Sequence, residues 1–219
     1  MNFISLFFKD NPPGILKFIA RQARKPSGLF GKFVAGKAFN KGNKELHDFA
    51  LGILDIKPNE QVLEIGFGNG LQLYDMAKHE PQAKYFGIDF STAMVSEATK
   101  MNILNIKVGR MKLYNASVEG IPFDNNKFDR IYSANTVYFW PNHDENIKEV
   151  HRVLKPGGQL YLGFRTREQM EKIPFTRYGF TFFSEISMVG FLQKGGFLNV
   201  EIQKKEDKPF DSYIAVGTK

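Results

Sequence analysis

Residues Val62–Gly70 read VLEIGFGNG. Val62, Leu63 and Ile65 form a short apolar run broken only by Glu64, the pattern of a central strand covered on both faces. Gly66, Gly68 and Gly70 then recur at every second position, and Leu71, Leu73, Tyr74 and Ala77 take up helical spacing. A strand, a glycine-rich turn and a helix N-terminus in that order make a site for a polar ligand. The glycines remove Cβ atoms that would block close approach, while the N–H groups of the turn and the helix dipole attract anionic groups.

The spacing narrows the ligand. A dinucleotide fingerprint, G-x-G-x-x-G, needs its third glycine where this chain has Leu71. A second strand, Tyr85–Asp89, ends in an acid about 20 positions after the turn, where nucleoside-binding domains carry the carboxylate that accepts hydrogen bonds from both ribose hydroxyls. The plain alternative for Asp89 is a helix-start acid, because Ser91 and a helix over Thr92–Met101 follow. Phe90 either lies against a base or fills the core.

What stands at the turn is E-x-G-x-G-x-G, Glu64 to Gly70. It resembles motif I of the class I S-adenosylmethionine-dependent methyltransferases, of the kind with a type 11-like domain. Two further stretches carry the likeness: ASVEGIPFDNNKFD, Ala116–Asp129, with Ile121-Pro122-Phe123 and Phe128-Asp129 in register, and RVLKPGG, Arg152–Gly158. The resemblance runs from about Glu45 to the C-terminus. It implies a Rossmann-like α/β fold: a mostly parallel seven-stranded sheet with an antiparallel final strand and helices on both faces. It implies S-adenosyl-L-methionine as cofactor, S-adenosyl-L-homocysteine as product, and no metal. Carried over position by position, Glu64, Gly66, Gly68 and Gly70 surround the methionyl part, Asp89 the ribose, and Phe90, Ser117 and Val118 the adenine. Asn135 lines the floor near the transferring methyl. Ser117 departs from the family's usual aspartate; its hydroxyl accepts one hydrogen bond without charge assistance.

Other elements follow from pattern. Strands are expected at Met111–Asn115, Phe128–Ser133, Gln159–Phe164, Phe197–Gln203 and Tyr213–Val216, and helices at Glu45–Leu54, Asn142–Leu154 and Glu185–Lys194. The fourth strand runs into the aromatic edge Asn135–Trp140, which suits a dry pocket around a sulfonium. Tyr138 and His143 are the candidates for contact with the acceptor, and no catalytic base is named. Residues 165–183 interleave basic and aromatic side chains, fitting either an acceptor pocket or a nucleic-acid surface.

The first 45 residues have a different texture and are expected to form a helical cap on a methyltransferase domain spanning 46–219. Gly14–Arg24 and Leu29–Phe39 are apolar–basic segments, suited to a cap over the site, to simple packing, or to peripheral contact with a membrane. Across the 219 residues, 42% hydrophobic content fills a core, and a net charge of +7 favours anionic partners without selecting one. With no cysteine the chain has no disulfide, thiolate metal site or cysteine nucleophile. His47, His79, His143 and His151 are too scattered for a metal site. No stretch approaches the ~20 apolar residues of a membrane span, and the run Phe3–Phe8 ends too early for a secretory signal, so a cytoplasmic protein is expected. The functional expectation is methyl transfer to a small-molecule or lipid-like acceptor. The alternatives are an RNA methyltransferase, a non-catalytic cofactor-binding relative, and a nucleotide-dependent oxidoreductase.

Overall fold

The computed structural model of the chain describes residues 11–28 and 40–219. The central strand β1, Gln61–Ile65, pairs in parallel with β2, Lys84–Asp89, on one side and with β4, Phe128–Ala134, on the other. With β3 (Met111–Asn115), β5 (Leu154–Phe164), β6 (Leu198–Lys205) and β7 (Ser212–Thr218), they form a seven-stranded sheet in the order β3-β2-β1-β4-β5-β7-β6. β7 alone runs opposite to the other six strands, pairing antiparallel with β5 and β6. The strand order reverses at β1, so a crevice opens where the carboxyl ends of β1 and β4 diverge, the usual ligand position in an open α/β sheet.

The strand period of two divides the core. Leu63, Ile65, Ile131 and Leu160 face one layer, which includes Ile147 and Val150 of α6 (His143–Val153) and Met188 and Leu192 of α8 (Glu185–Lys194). Val62, Tyr85 and Tyr132 face the other, built from α2 (Asn40–Leu54), α3 (Leu71–His79) and α4 (Thr92–Met101). The remaining helices are α1 (Pro13–Arg24) and two short ones, α5 (Ile103–Lys107) and α7 (Arg167–Met170). Leu16 and Ala20 seat α1 in the first layer.

Three differences from the sequence expectations have physical causes. α2 begins five residues before Glu45, through Asn40–Lys44, so the expected boundary after residue 45 falls inside a helix; the extra turn continues a helix that Leu46, Ala50 and Leu54 anchor in the core. Lys155-Pro156-Gly157-Gly158 does not separate α6 from the fifth strand. It is a bulge within β5: the pairing jumps from Phe128↔Leu154 to Arg130↔Gln159, with Gly157 at φ 76°. The final two strands extend beyond their apolar runs, to Lys205 and Thr218, because they pair with each other along their length. The segment Leu29–Phe39 lies outside the described residues.

Candidate functional site

The glycine turn is held from three sides. Gly66 N–H donates to the Ile88 carbonyl of β2 (2.8 Å), and Gly70 N–H to the Phe67 carbonyl (2.9 Å). Asn102, just after α4, donates from Nδ2 to the Gly70 carbonyl (2.9 Å). All three glycines have positive φ, yet they do different work. A Cβ on Gly66 would stand 2.4 Å from Thr136 Cγ2, and one on Gly70 2.7 Å from Ala98 Cβ. A Cβ on Gly68 would meet nothing within 4 Å. The outer glycines let the turn pack; the middle one faces open space.

That space is a cavity of about 710 Å³ at the diverging ends of β1 and β4, within the size range of small-molecule sites (~300–1,000 Å³). Nine of the eleven expected site residues line it: Glu64, Gly66, Gly68, Asp89, Phe90, Ser117, Val118, Asn135 and Tyr138. Gly70 and His143 do not. His143 Nε2 lies 2.9 Å from the Val137 carbonyl, and its ring packs against Phe183 and Phe191. Its position on the first turn of α6 turns it toward α8, away from the cavity.

Asp89 ends β2 with its carboxylate tied to two backbone donors, Gly68 N–H at 3.0 Å and Ser91 N–H at 2.8 Å. Burial nevertheless dominates and raises its pKa from 3.8 to about 6. Glu64 is buried alone: burial, with a smaller contribution from Asp89, lifts its pKa from 4.5 to about 8. Its Oε2 has no hydrogen-bond partner, and neither has Oε1 of the buried Gln72, which also lines the cavity. Buried acceptors without donors are costly. These two acceptors, with the open face of Gly68, fit a ligand end carrying N–H donors, such as the amino group of a methionyl moiety. Among the described residues, no group of three or more His, Cys, Asp or Glu is arranged to hold a metal ion.

Beyond the turn, Asn135 takes a left-handed conformation (φ 56°) that folds the end of β4 over the cavity. Its Nδ2 donates to Asn43 Oδ1 of α2 (2.9 Å), and its Oδ1 accepts from the Tyr138 hydroxyl (3.0 Å). That hydroxyl also accepts a hydrogen bond from Arg165 N–H. With both roles filled and the ring buried, the phenol is held neutral, its pKa pushed up by burial. Tyr138 fixes Asn135 to the start of the 165–183 segment. Phe90, by contrast, is 39% exposed at the rim, with Lys25 Nζ 5.2 Å above its ring. Ser117 Oγ is hydrogen-bonded to Glu119 Oε2 (3.1 Å).

The far wall is apolar. Ile15, Ile19 and Ala23 of α1 line it together with Met170, Ile173, Phe175 and Phe180. Phe180 also meets the ring of Phe139 at 4.5 Å. Sequence reading offered α1 as one possible cap over the site without naming its side chains, and did not identify Asn43, His47 or Gln72 as part of it. Asn43 and His47 are one turn apart on α2, and burial lowers the His47 pKa to about 4, so this cavity-lining imidazole is neutral. The signal available for them was the pair of polar residues at i and i+4 on an otherwise apolar stripe.

Comparison with known proteins agrees with this geometry. The family described as a methyltransferase domain matches residues 63–162. The chain is 29% identical over 187 residues to an uncharacterized methyltransferase, YdaC, of Bacillus subtilis, covering 85% of this chain and 98% of that protein. It is 31% identical over 115 residues to the ubiquinone/menaquinone biosynthesis C-methyltransferase UbiE of Geotalea daltonii, covering 52% of this chain and 49% of the relative. Among solved structures it is similar in fold to the complex of the Haloferax volcanii Trm112 methyltransferase activator with a methyltransferase. That match has a TM-score of 0.71 at 18% identity, over 84% of this chain and 95% of the other.

Proposed function

The chain belongs to the class I S-adenosylmethionine-dependent methyltransferases, and on that premise we propose that it methylates a small, lipid-like acceptor. The observation that carries the proposal is the two-ended cavity: buried carboxyls and a glycine turn at one end, apolar side chains at the other. When bound, S-adenosylmethionine supplies a methyl group already activated by its positive sulfur. The protein's task is then to align the reacting atoms and exclude water.

In this reading Glu64, Gln72 and the Gly66–Gly68 turn hold the amino-acid end, and Asp89 takes the sugar diol. Ser117, Val118 and Phe90 flank the base. Asn135, clamped by Asn43 and Tyr138, forms the floor beside the acceptor. Residues 1–45 act as a cap, since α1 supplies one wall. The named role of the UbiE relative in quinone biosynthesis supports an acceptor with an apolar body. A cytoplasmic setting is part of the same proposal.

The test uses S-adenosylmethionine labelled in its methyl group, offered with a total lipid extract and separately with total RNA. Label entering the lipid-soluble fraction is the expected result. Label entering only RNA would move the acceptor to nucleic acid. No measurable affinity for S-adenosylhomocysteine by calorimetry would remove the enzyme reading altogether.

A further inference from the structure

Residues 11–44 contain eight Lys and Arg and no Asp or Glu. The chain's net charge is +7, so all of its excess lies in this segment and the rest of the molecule is −1. Such an asymmetry within one chain marks a surface for an anionic partner.

The described part of the segment is organised around the cavity. At about 100° per residue, α1 divides into three sectors. Ile15, Ile19 and Ala23 line the cavity, Leu16 and Ala20 are buried in the core, and Lys17 and Arg21 are exposed, Lys17 over the Tyr178 ring (5.7 Å) and Arg21 over the Phe18 ring (5.6 Å). At the border between the outward and cavity sectors, Phe18 is 36% and Ile15 45% exposed. The rim continues through Lys25 over the exposed ring of Phe90. One helix therefore carries a basic face, exposed apolar side chains beside it, and the wall of an apolar cavity.

We propose that the outer face of α1 docks the protein on an anionic lipid surface, with the cavity mouth turned toward the bilayer. Lysines and arginines beside a phenylalanine are the composition of a helix lying in a membrane interface. Anionic headgroups supply the complementary charge, within a Debye length of the surface. Lipid fits better than nucleic acid because the exposed residues bordering the basic face are aliphatic or aromatic hydrocarbon, and the space behind them is apolar. Docking in this pose places the acceptor entrance where a lipid-like molecule resides, so the inference rests on the proposed acceptor class for its purpose. With a single short helix, attachment is reversible.

The test is co-sedimentation of the full chain with vesicles of phosphatidylcholine alone or of phosphatidylcholine and phosphatidylglycerol in equal parts. The mixed vesicles are expected to bind at least about tenfold more tightly, with the advantage shrinking as salt rises. The double variant Lys17→Glu/Arg21→Glu should lose about tenfold in that binding, and Phe18→Ser should weaken it further at high salt. Neither change touches the glycine turn, so both variants should keep their affinity for S-adenosylhomocysteine. Equal binding to both vesicle types, no binding at low salt, or charge reversal without effect would overturn the proposal. So would an RNA oligomer that displaces the protein from vesicles at physiological salt. If the unaltered protein binds S-adenosylhomocysteine but not the mixed vesicles, the docking surface alone falls; if it binds the vesicles but not S-adenosylhomocysteine, the enzyme reading alone falls.

Discussion

At the polar end of the cavity, Gly68 N–H, the Asp89 carboxylate and Ser91 N–H are joined by hydrogen bonds of 2.8–3.0 Å. At the other end, Ile19, Ile173 and Phe180 line the cavity with hydrocarbon, Ile19 coming from a segment more than 150 residues before the other two. The first end is a backbone construction: strand ends set it, and the turn cannot change without disturbing the sheet. The second is a side-chain construction, where hydrocarbon from α1 and from 165–183 closes a space and each member contributes mainly area. Substitutions at the polar end should therefore cost cofactor affinity, while those at the apolar end should cost acceptor affinity and spare the cofactor.

The sharpest way to break this contrast is within the turn itself. Gly66→Ala puts a Cβ 2.4 Å from Thr136 at a left-handed backbone, and should lower unfolding free energy by about 2–4 kcal/mol in urea titration. Gly68→Ala carries only the backbone penalty, about 1–2 kcal/mol, but should weaken S-adenosylhomocysteine binding at least about tenfold, because its methyl occupies the open side of the turn. Equal stability losses at the two positions would refute the division of labour among the glycines.

A second test uses pH on the unliganded protein. Glu64 and Asp89 titrate higher in the folded state, near 8 and 6, than their ordinary 4.5 and 3.8. The folded protein therefore holds protons that the unfolded chain has released, and stability falls as pH rises through these values. His47, lowered from 6.5 to about 4, acts oppositely between those limits, so the clean window lies above 6.5. From pH 6.5 to 8 the loss from Glu64 should be about 2 kcal/mol, and Glu64→Gln should remove most of that slope. A wild-type profile flat across this window would show that Glu64 is already ionised.

At the apolar end, Phe180→Ala should raise the acceptor KM about tenfold, consistent with loss of most of the apolar contact of a half-buried ring. Donor affinity should stay within about twofold. A comparable loss of S-adenosylhomocysteine affinity would erase the distinction between the ends. The smallest effect is expected at His143: His143→Gln keeps a hydrogen-bonding group near the Val137 carbonyl, and turnover should change less than about twofold. A larger fall, with the fold intact by circular dichroism, would return His143 to the acceptor site.

The two ends also differ in how legible they were. The glycine turn, β1, β2 and Asp89 were readable from residue order, because each depends on neighbours a few positions away: alternation in strands, glycine at positive φ, an acid at a strand end. The start of α2, the bulge in β5 and the choice among the three uses offered for α1 were not, because distant packing partners decide them.

Residue order by itself determined the strand–turn–helix cradle, the sheet class and the family likeness, since these are written in local backbone preferences and spacing. Only the tertiary structure decided that Gly66 and Gly70 pack while Gly68 stays open, that Tyr138 clamps Asn135 while His143 faces α8, and that Glu64 is buried with an unpaired oxygen. Exposure, desolvation and steric clash are properties of neighbours in space, and the chain brings those neighbours together only when it folds.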